Sequence, residues 1–162
     1  MNLPNRNDDY SKREYWNDRF LQEKSYDWLV NYEDIKSLVL LHSHEAKSSR
    51  VLILGCGCST LSYDMYVDGY ENIVSTDFSP VAIASMKAKY QDSRVIWECM
   101  DMTDLKYDDE SFDVIIDKAA LDALTSAEKD VWSPCEAVVE ASDKYRFNCS
   151  AYFLICWVCE GS

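Results

Sequence analysis

The residues best suited to chemistry stand in short clusters, each just after an apolar run. Gly55-Cys56-Gly57 follow "VLIL", Asp77-Phe78 end "NIVSTDF", Asp101-Met102 end "RVIWECMDM", and Asp117-Lys118 end "FDVIIDK". Glycine lets a chain turn tightly and approach a ligand with no Cβ in the way. An acid after the second strand of such a series can accept hydrogen bonds from both hydroxyls of a ribose. A carboxylate beside a flexible thioether can flank a purine, one at its exocyclic amine and the other on its face. Together the clusters outline a nucleoside-shaped site. The dinucleotide fingerprint G-x-G-x-x-G needs a third glycine, and Thr60 stands there, which counts against a nicotinamide cofactor. A ligand without a pyrophosphate fits better, and S-adenosylmethionine (SAM) is one. Taken singly, each residue has a plainer reading: a strand-to-helix turn for the glycines, a cap for Asp77, solvated loop acids for Asp101 and Asp117, a surface lysine for Lys118, core aromatics for Trp16 and Trp28.

These clusters need elements to hold them. "RVLIL" from Arg50 is continuous and β-rich, the pattern of a strand buried on both faces. "STLSYDMYVDGY" follows as a helix, with Ser59 or Thr60 as its cap, Leu61 and Met65 on one face and Gly69 at its end. "NIVSTD" is the next strand. Ser79-Pro80, a cap followed by proline at the first helical position, opens "VAIASMKAKY", where Ile83, Met86 and Tyr90 share a face. "RVIWECMD" and "FDVIID" are further strands, with a turn at "DDES". Upstream, Ser11 to Leu21 and about Glu33 to Leu41 have helical spacing; the second should set Ile35, Leu38, Val39 and Leu41 on one side. Strand and helix alternate, so the expected fold is α/β: a parallel sheet with helices on both faces and ligands beyond the carboxyl ends of the strands.

The chain has 162 residues, enough for one domain, with 48% hydrophobic residues to fill a core. Its N-terminus has no apolar signal-peptide segment, and its longest late apolar run, Ala151 to Cys159, is too short for the roughly 20 residues of a membrane span. A soluble, cytoplasmic protein is expected. The formal charge of −13 repels phosphate backbones and suits a basic protein partner, or is simply a solvating surface. Seven cysteines, an odd number, argue against a disulfide scaffold. Cys156-x-x-Cys159 lies in an apolar run with no second pair, so it reads as buried thiols; His42 and His44 read as surface residues, and no metal is expected.

"LGCGCSTLSYDMY", "STDFSPVAIASM", "WECMDMTDL" and "FDVIIDKAALDAL" resemble the class I SAM-dependent methyltransferases. Within them the likeness is to the methyltransferase-like group that includes the elongation factor 1-alpha lysine methyltransferases, a domain also joined to some forms of endothelin-converting enzyme. "EYWNDRF" and "YDWL" match that group too. The resemblance implies a Rossmann-like three-layer sandwich, SAM as cofactor, and methyl transfer to a protein lysine, with a translation elongation factor as partner and a monomeric state. It implies Gly55 and Gly57 against the SAM tail, Asp77 on the ribose with Phe78 beside it, Asp101 and Met102 around adenine, Lys118 closing the site, and Trp16, Phe20 and Trp28 as a lid. The group often has tyrosine where this chain has Phe20. "DKAA" differs from the Pro-Pro-aromatic motif of amide and adenine methyltransferases, which favours a lysine or other side-chain substrate. No residue is assigned as a general base.

The likeness ends near Trp132-Ser133. The family continues through a Pro-Gly-Gly turn to a seven-stranded sheet, but the glycines here are only 55, 57, 69 and 161. "CEAVVEASDKY" reads as a helix and "AYFLICWVC" as one strand or an apolar tail. The expected layout is a disordered 1–10, a SAM-binding domain at 11–134 and a divergent tail at 135–162, with at most five strands and a sheet incomplete on its C-terminal side. Impaired activity would follow, and a truncated, non-catalytic relative that binds SAM or a partner is the alternative.

Overall fold

The structure, a computed structural model, describes residues 6–43, 47–126, 132–145 and 152–155. The expectations for residues 1–5, His44 and the Cys156–Cys159 pair lie outside the described residues. Five strands form one parallel sheet: β1 (Arg50–Leu54), β2 (Asn72–Asp77), β3 (Ile96–Cys99), β4 (Val114–Lys118) and β5 (Tyr152–Ile155), in the order β3-β2-β1-β4-β5. Val51 pairs with Ile73 on one side and Val114 on the other; Ile115 pairs with Tyr152. β1 and β4 are central, and this explains why their sequences carry no polar alternation.

Successive strand residues point to opposite faces, and so two cores form. Val51, Ile53, Ile73, Val114 and Ile116 meet helices α1 (Arg13–Gln22), α2 (Tyr32–His42), α3 (Leu61–Val67) and α4 (Pro80–Lys89). Leu52, Leu54 and Ile115 meet Leu105, Phe112 and Leu121, with Val138 and Tyr145 of α6 (Trp132–Tyr145). The Tyr145 hydroxyl donates to the Leu105 carbonyl at 2.7 Å, and the Phe112 N–H donates to the Tyr145 carbonyl at 2.9 Å. α6 runs continuously across the expected boundary between 134 and 135.

The local signals act as their chemistry requires. Ser79 accepts the Ala82 N–H at 3.2 Å and Pro80 opens α4. Gly69, at φ +100°, ends α3: its N–H bonds the Tyr66 carbonyl at 3.0 Å, and that of Tyr70 bonds the Met65 carbonyl at 3.0 Å, a Schellman closure. α2 begins one residue before the expected Glu33, because Asn31 and Asp34 form a reciprocal capping box.

Two expectations change. Leu38 and Leu41 are exposed, 41% and 65%, while Ile35 and Val39 are buried. At 100° per residue Leu41 lies well round the helix from the Ile35–Val39 face. Residues 7–10 of the expected disordered 1–10 form, with Ser11, a 3₁₀ helix, Asn7–Ser11. Tyr10 anchors it by packing edge-on to Tyr15 at 5.4 Å and accepting, through its carbonyl, the Trp16 indole N–H at 2.6 Å.

Candidate active site

A cavity of about 330 Å³ opens at the carboxyl ends of β1 to β4, within the range of small-molecule sites. All ten residues nominated from sequence line it: Trp16, Phe20, Trp28, Gly55, Gly57, Asp77, Phe78, Asp101, Met102 and Lys118. Each strand end contributes because parallel strands deliver their carboxyl ends to one edge.

The turn after β1 forms the floor. Gly55 sits at φ +57°, and a Cβ there would come 2.2 Å from the Ala120 Cβ. Its lack of side chain therefore admits the start of α5 (Ala120–Thr125). Gly57, at φ +49°, would set a Cβ 3.1 Å from the Phe20 ring. The intervening Cys56 N–H donates to the Thr76 carbonyl at 2.8 Å, which pins the turn across β2. Burial pushes the Cys56 thiol well up, and burial with the nearby Glu23 and Asp77 charges pushes Cys58 to about 11. Both are inert as nucleophiles at neutral pH.

Asp77 ends β2 almost fully buried. It accepts the Gly57 N–H on Oδ2 and the Ser79 N–H on Oδ1, each at 2.8 Å. Burial nevertheless pushes it up to about 6, against those two donors. Each carboxylate oxygen retains a further acceptor site, and the residue faces the cavity. After β3, the Met100 N–H bonds the Asp77 carbonyl at 3.0 Å. Asp101 Oδ1 accepts the Thr103 N–H at 2.9 Å and its hydroxyl at 2.7 Å, which shapes the turn.

The roof comes from α1 and the segment between α1 and α2. Trp16 and Phe20 stack at 5.4 Å, and Trp28 meets Trp16 edge-on at 6.3 Å. Arg19 lies over Trp28 at 4.8 Å and is bound by Glu23 at 2.8 Å, so a neutralised cation braces the aromatic group from behind.

Lys118 departs from a simple cavity role. Its Nζ donates to Asp27 Oδ1 at 3.1 Å and to the Trp28 carbonyl at 3.0 Å. Burial lowers its pKa and Asp27 opposes that. Asp27 also accepts the Ser59 hydroxyl, the Thr60 hydroxyl at 3.2 Å and the Thr60 N–H at 3.4 Å. Burial acts to raise Asp27, but the Ser59 bond and the Lys118 charge outweigh it and hold the carboxyl low. Asp117 lies on the other face of the sheet, where Oδ1 accepts the Ala120 and Leu121 N–H groups at 3.1 and 3.3 Å.

Residues 51–141 match the family model described as a methyltransferase domain. The chain belongs to the methyltransferase domain family. EEF1A lysine methyltransferase 4 of Mus musculus is 34% identical over 146 residues, which is 88% of this chain and 56% of that protein. The eEF1A lysine and N-terminal methyltransferase homolog of Drosophila melanogaster is 36% identical over 126 residues, 75% of this chain and 18% of that one. Thus the chain spans about half the length (56%), or less, of these curated relatives. Among solved structures, the S-adenosylmethionine dependent methyltransferase from Mesorhizobium loti superposes with a TM-score of 0.58 at 18% identity, over 73% of this chain and 51% of that chain. At that identity it speaks for the shared fold.

This methyltransferase domain also brings to the cavity residues that were not nominated from its sequence. Tyr10, Ser59, Met100 and Ala119 line the cavity as well. Asp27 had a signal in hand, a lone acid inside "YDWL". Its partner Lys118 is 91 residues away, beyond the reach of any local pattern. Among the described residues no cluster of histidine, cysteine and acids could hold a metal ion.

Proposed function

We propose that this chain is a SAM-dependent methyltransferase acting on a lysine side chain of a protein, with a translation elongation factor as the first candidate. The observation that carries the cofactor assignment is Asp77. It is a buried carboxylate whose donors among the described residues are two backbone amides, held where two ribose hydroxyls can complete its set. Gly57, with no Cβ under Phe20, leaves room for a tail beside the turn. Asp101 and Met102 suit an adenine edge and face, and the half-buried Phe78 lines the same cavity. The residues present thus fit SAM, and among the described residues no Lys/Arg side chain other than Lys118 lines the cavity, as befits a ligand without phosphate.

When bound, SAM supplies a methyl group on a sulfonium, an excellent leaving group. The protein therefore has mainly to align and to exclude water, and alignment alone is worth several kcal/mol. Asp77 would hold the ribose and so help to orient the cofactor. Trp16, Phe20 and Trp28 cover the site. A substrate lysine would have to arrive as the neutral amine to accept that methyl, and one proton of the alkylated nitrogen would then pass to water. The chain's −13 charge favours a basic protein substrate. A cytosolic monomer goes with this reading, and among the described residues no helix is long and apolar enough to cross a membrane.

Calorimetric titration with S-adenosylhomocysteine tests the cofactor, and Asp77→Ala should abolish the signal. Label from tritiated SAM appearing in a basic protein, and absent with Asp77→Ala, tests transfer. Cofactor binding with no label in any protein would leave a binding relative and end the claim of catalysis.

A further inference from the structure

We infer that Asp27 and Lys118 are positioning residues: together they fasten the roof of the site and set how fast the cofactor exchanges. This rests on the cofactor reading above. The segment 23–31 between α1 and α2 has no helix or strand to hold it. Its attachments concentrate at one point. The Tyr26 N–H bonds the Cys58 carbonyl at 3.3 Å. Asp27 gathers Ser59 and Thr60 from the start of α3 and Lys118 from the end of β4. Lys118 adds a bond to the Trp28 carbonyl. Asp27 therefore ties the roof to the start of α3 by hydrogen bonds and to the end of β4 by its ion pair.

The pair is costly in place. The Lys118 side chain is 5% exposed and that of Asp27 21%. Withdrawing such charges from water offsets much of their attraction, so a pair like this contributes geometry more than stability. What it orients is the Trp28 backbone, and hence the indole that lines the cavity. The geometry also explains why Lys118 lines the cavity without offering its charge to a ligand: two of its three N–H donors are committed to the roof. Glu23, Tyr26, Trp28 and Leu29 of this segment line the cavity, and opening of a roof of that kind commonly limits ligand exchange.

The test uses the full chain, with S-adenosylhomocysteine as probe and tryptophan fluorescence as readout. Asp27→Asn and Lys118→Met should each speed its release by about ten-fold, the double variant by no more than either alone, and Lys118→Arg should restore slow release. In ligand-free protein, amide exchange over residues 24–30 should quicken in Asp27→Asn, with β1 and β4 amides unchanged. Unchanged release, or exchange that quickens uniformly through the sheet, would overturn the proposal, since the pair would then be idle or merely structural. If Lys118→Met fails to fold, Asp27→Asn and Lys118→Arg carry the test. If the wild-type chain binds no probe, the cofactor reading fails, and local amide exchange alone decides whether the pair fastens the roof.

Discussion

The Gly57 N–H donates to Asp77 Oδ2 at 2.8 Å. One bond thus couples the turn after β1 to the acid after β2, and the carboxylate that would hold a ribose also holds the turn beneath it. Changing either residue disturbs both parts of the site.

Affinity should depend on pH through Asp77. Burial raises its pKa to about 6. Hydroxyl donors favour the ionised form, so binding lowers that pKa and releases a proton. Affinity for S-adenosylhomocysteine should be full above about 6 and weaken as pH falls below it. Calorimetry at pH 6 in buffers of different ionisation enthalpy should register proton release, and equal heats after buffer correction with no release would exclude it.

The two glycines of the turn should differ. Gly55→Ala places a Cβ 2.2 Å from that of Ala120 in addition to a left-handed backbone, so a loss of about 2–4 kcal/mol is expected. Gly57→Ala meets only the Phe20 ring at 3.1 Å, which can yield, so the loss should be nearer 1–2 kcal/mol. Urea unfolding of both proteins gives the comparison, and equal losses would contradict it.

Ala119 stands at φ +67° before α5. Ala119→Gly relieves left-handed strain and loses some chain-entropy advantage, for a net gain of about 0.5–1 kcal/mol. A thermal midpoint that falls would show that the Ala119 methyl packs more than its backbone strains.

Asp117 is fully buried with Oδ2 unpartnered among the described residues, and burial pushes it up to about 7. An acid raised in the folded state stabilises most below its unfolded value, near 4, and that contribution is lost as pH rises toward 7. Asp117→Asn keeps an acceptor for the Ala120 and Leu121 amides and removes the titration. Its stability relative to the wild type should therefore improve from pH 4 to pH 7. Asp68, held well below the usual range by Lys36 and Lys47 despite some burial, acts in the opposite window, below pH 4. A constant difference between the two proteins across pH 4–7 would show that Asp117 is ionised throughout.

Much of the architecture is carried by residue pattern alone. Continuous apolar runs such as Val51–Leu54 have to be buried on both faces, and Ser79-Pro80 and Gly69 start and stop helices through local hydrogen bonds and torsions. Alternation of strand and helix then sends Gly55, Gly57, Asp77, Met102 and Lys118 to one edge. These are short-range effects, so they can be read without a partner in view. Tertiary packing decided what short range cannot reach. It brought Ala120 against Gly55, turned the Lys118 charge from the cavity to Asp27, and set Asp117 on the far face by the single-residue alternation of β4. It ordered Asn7–Ser11 because Tyr10 found Trp16 and Tyr15. Each depends on distances between segments far apart in the chain, and those are settled only when burial and hydrogen bonding are satisfied together across the whole fold.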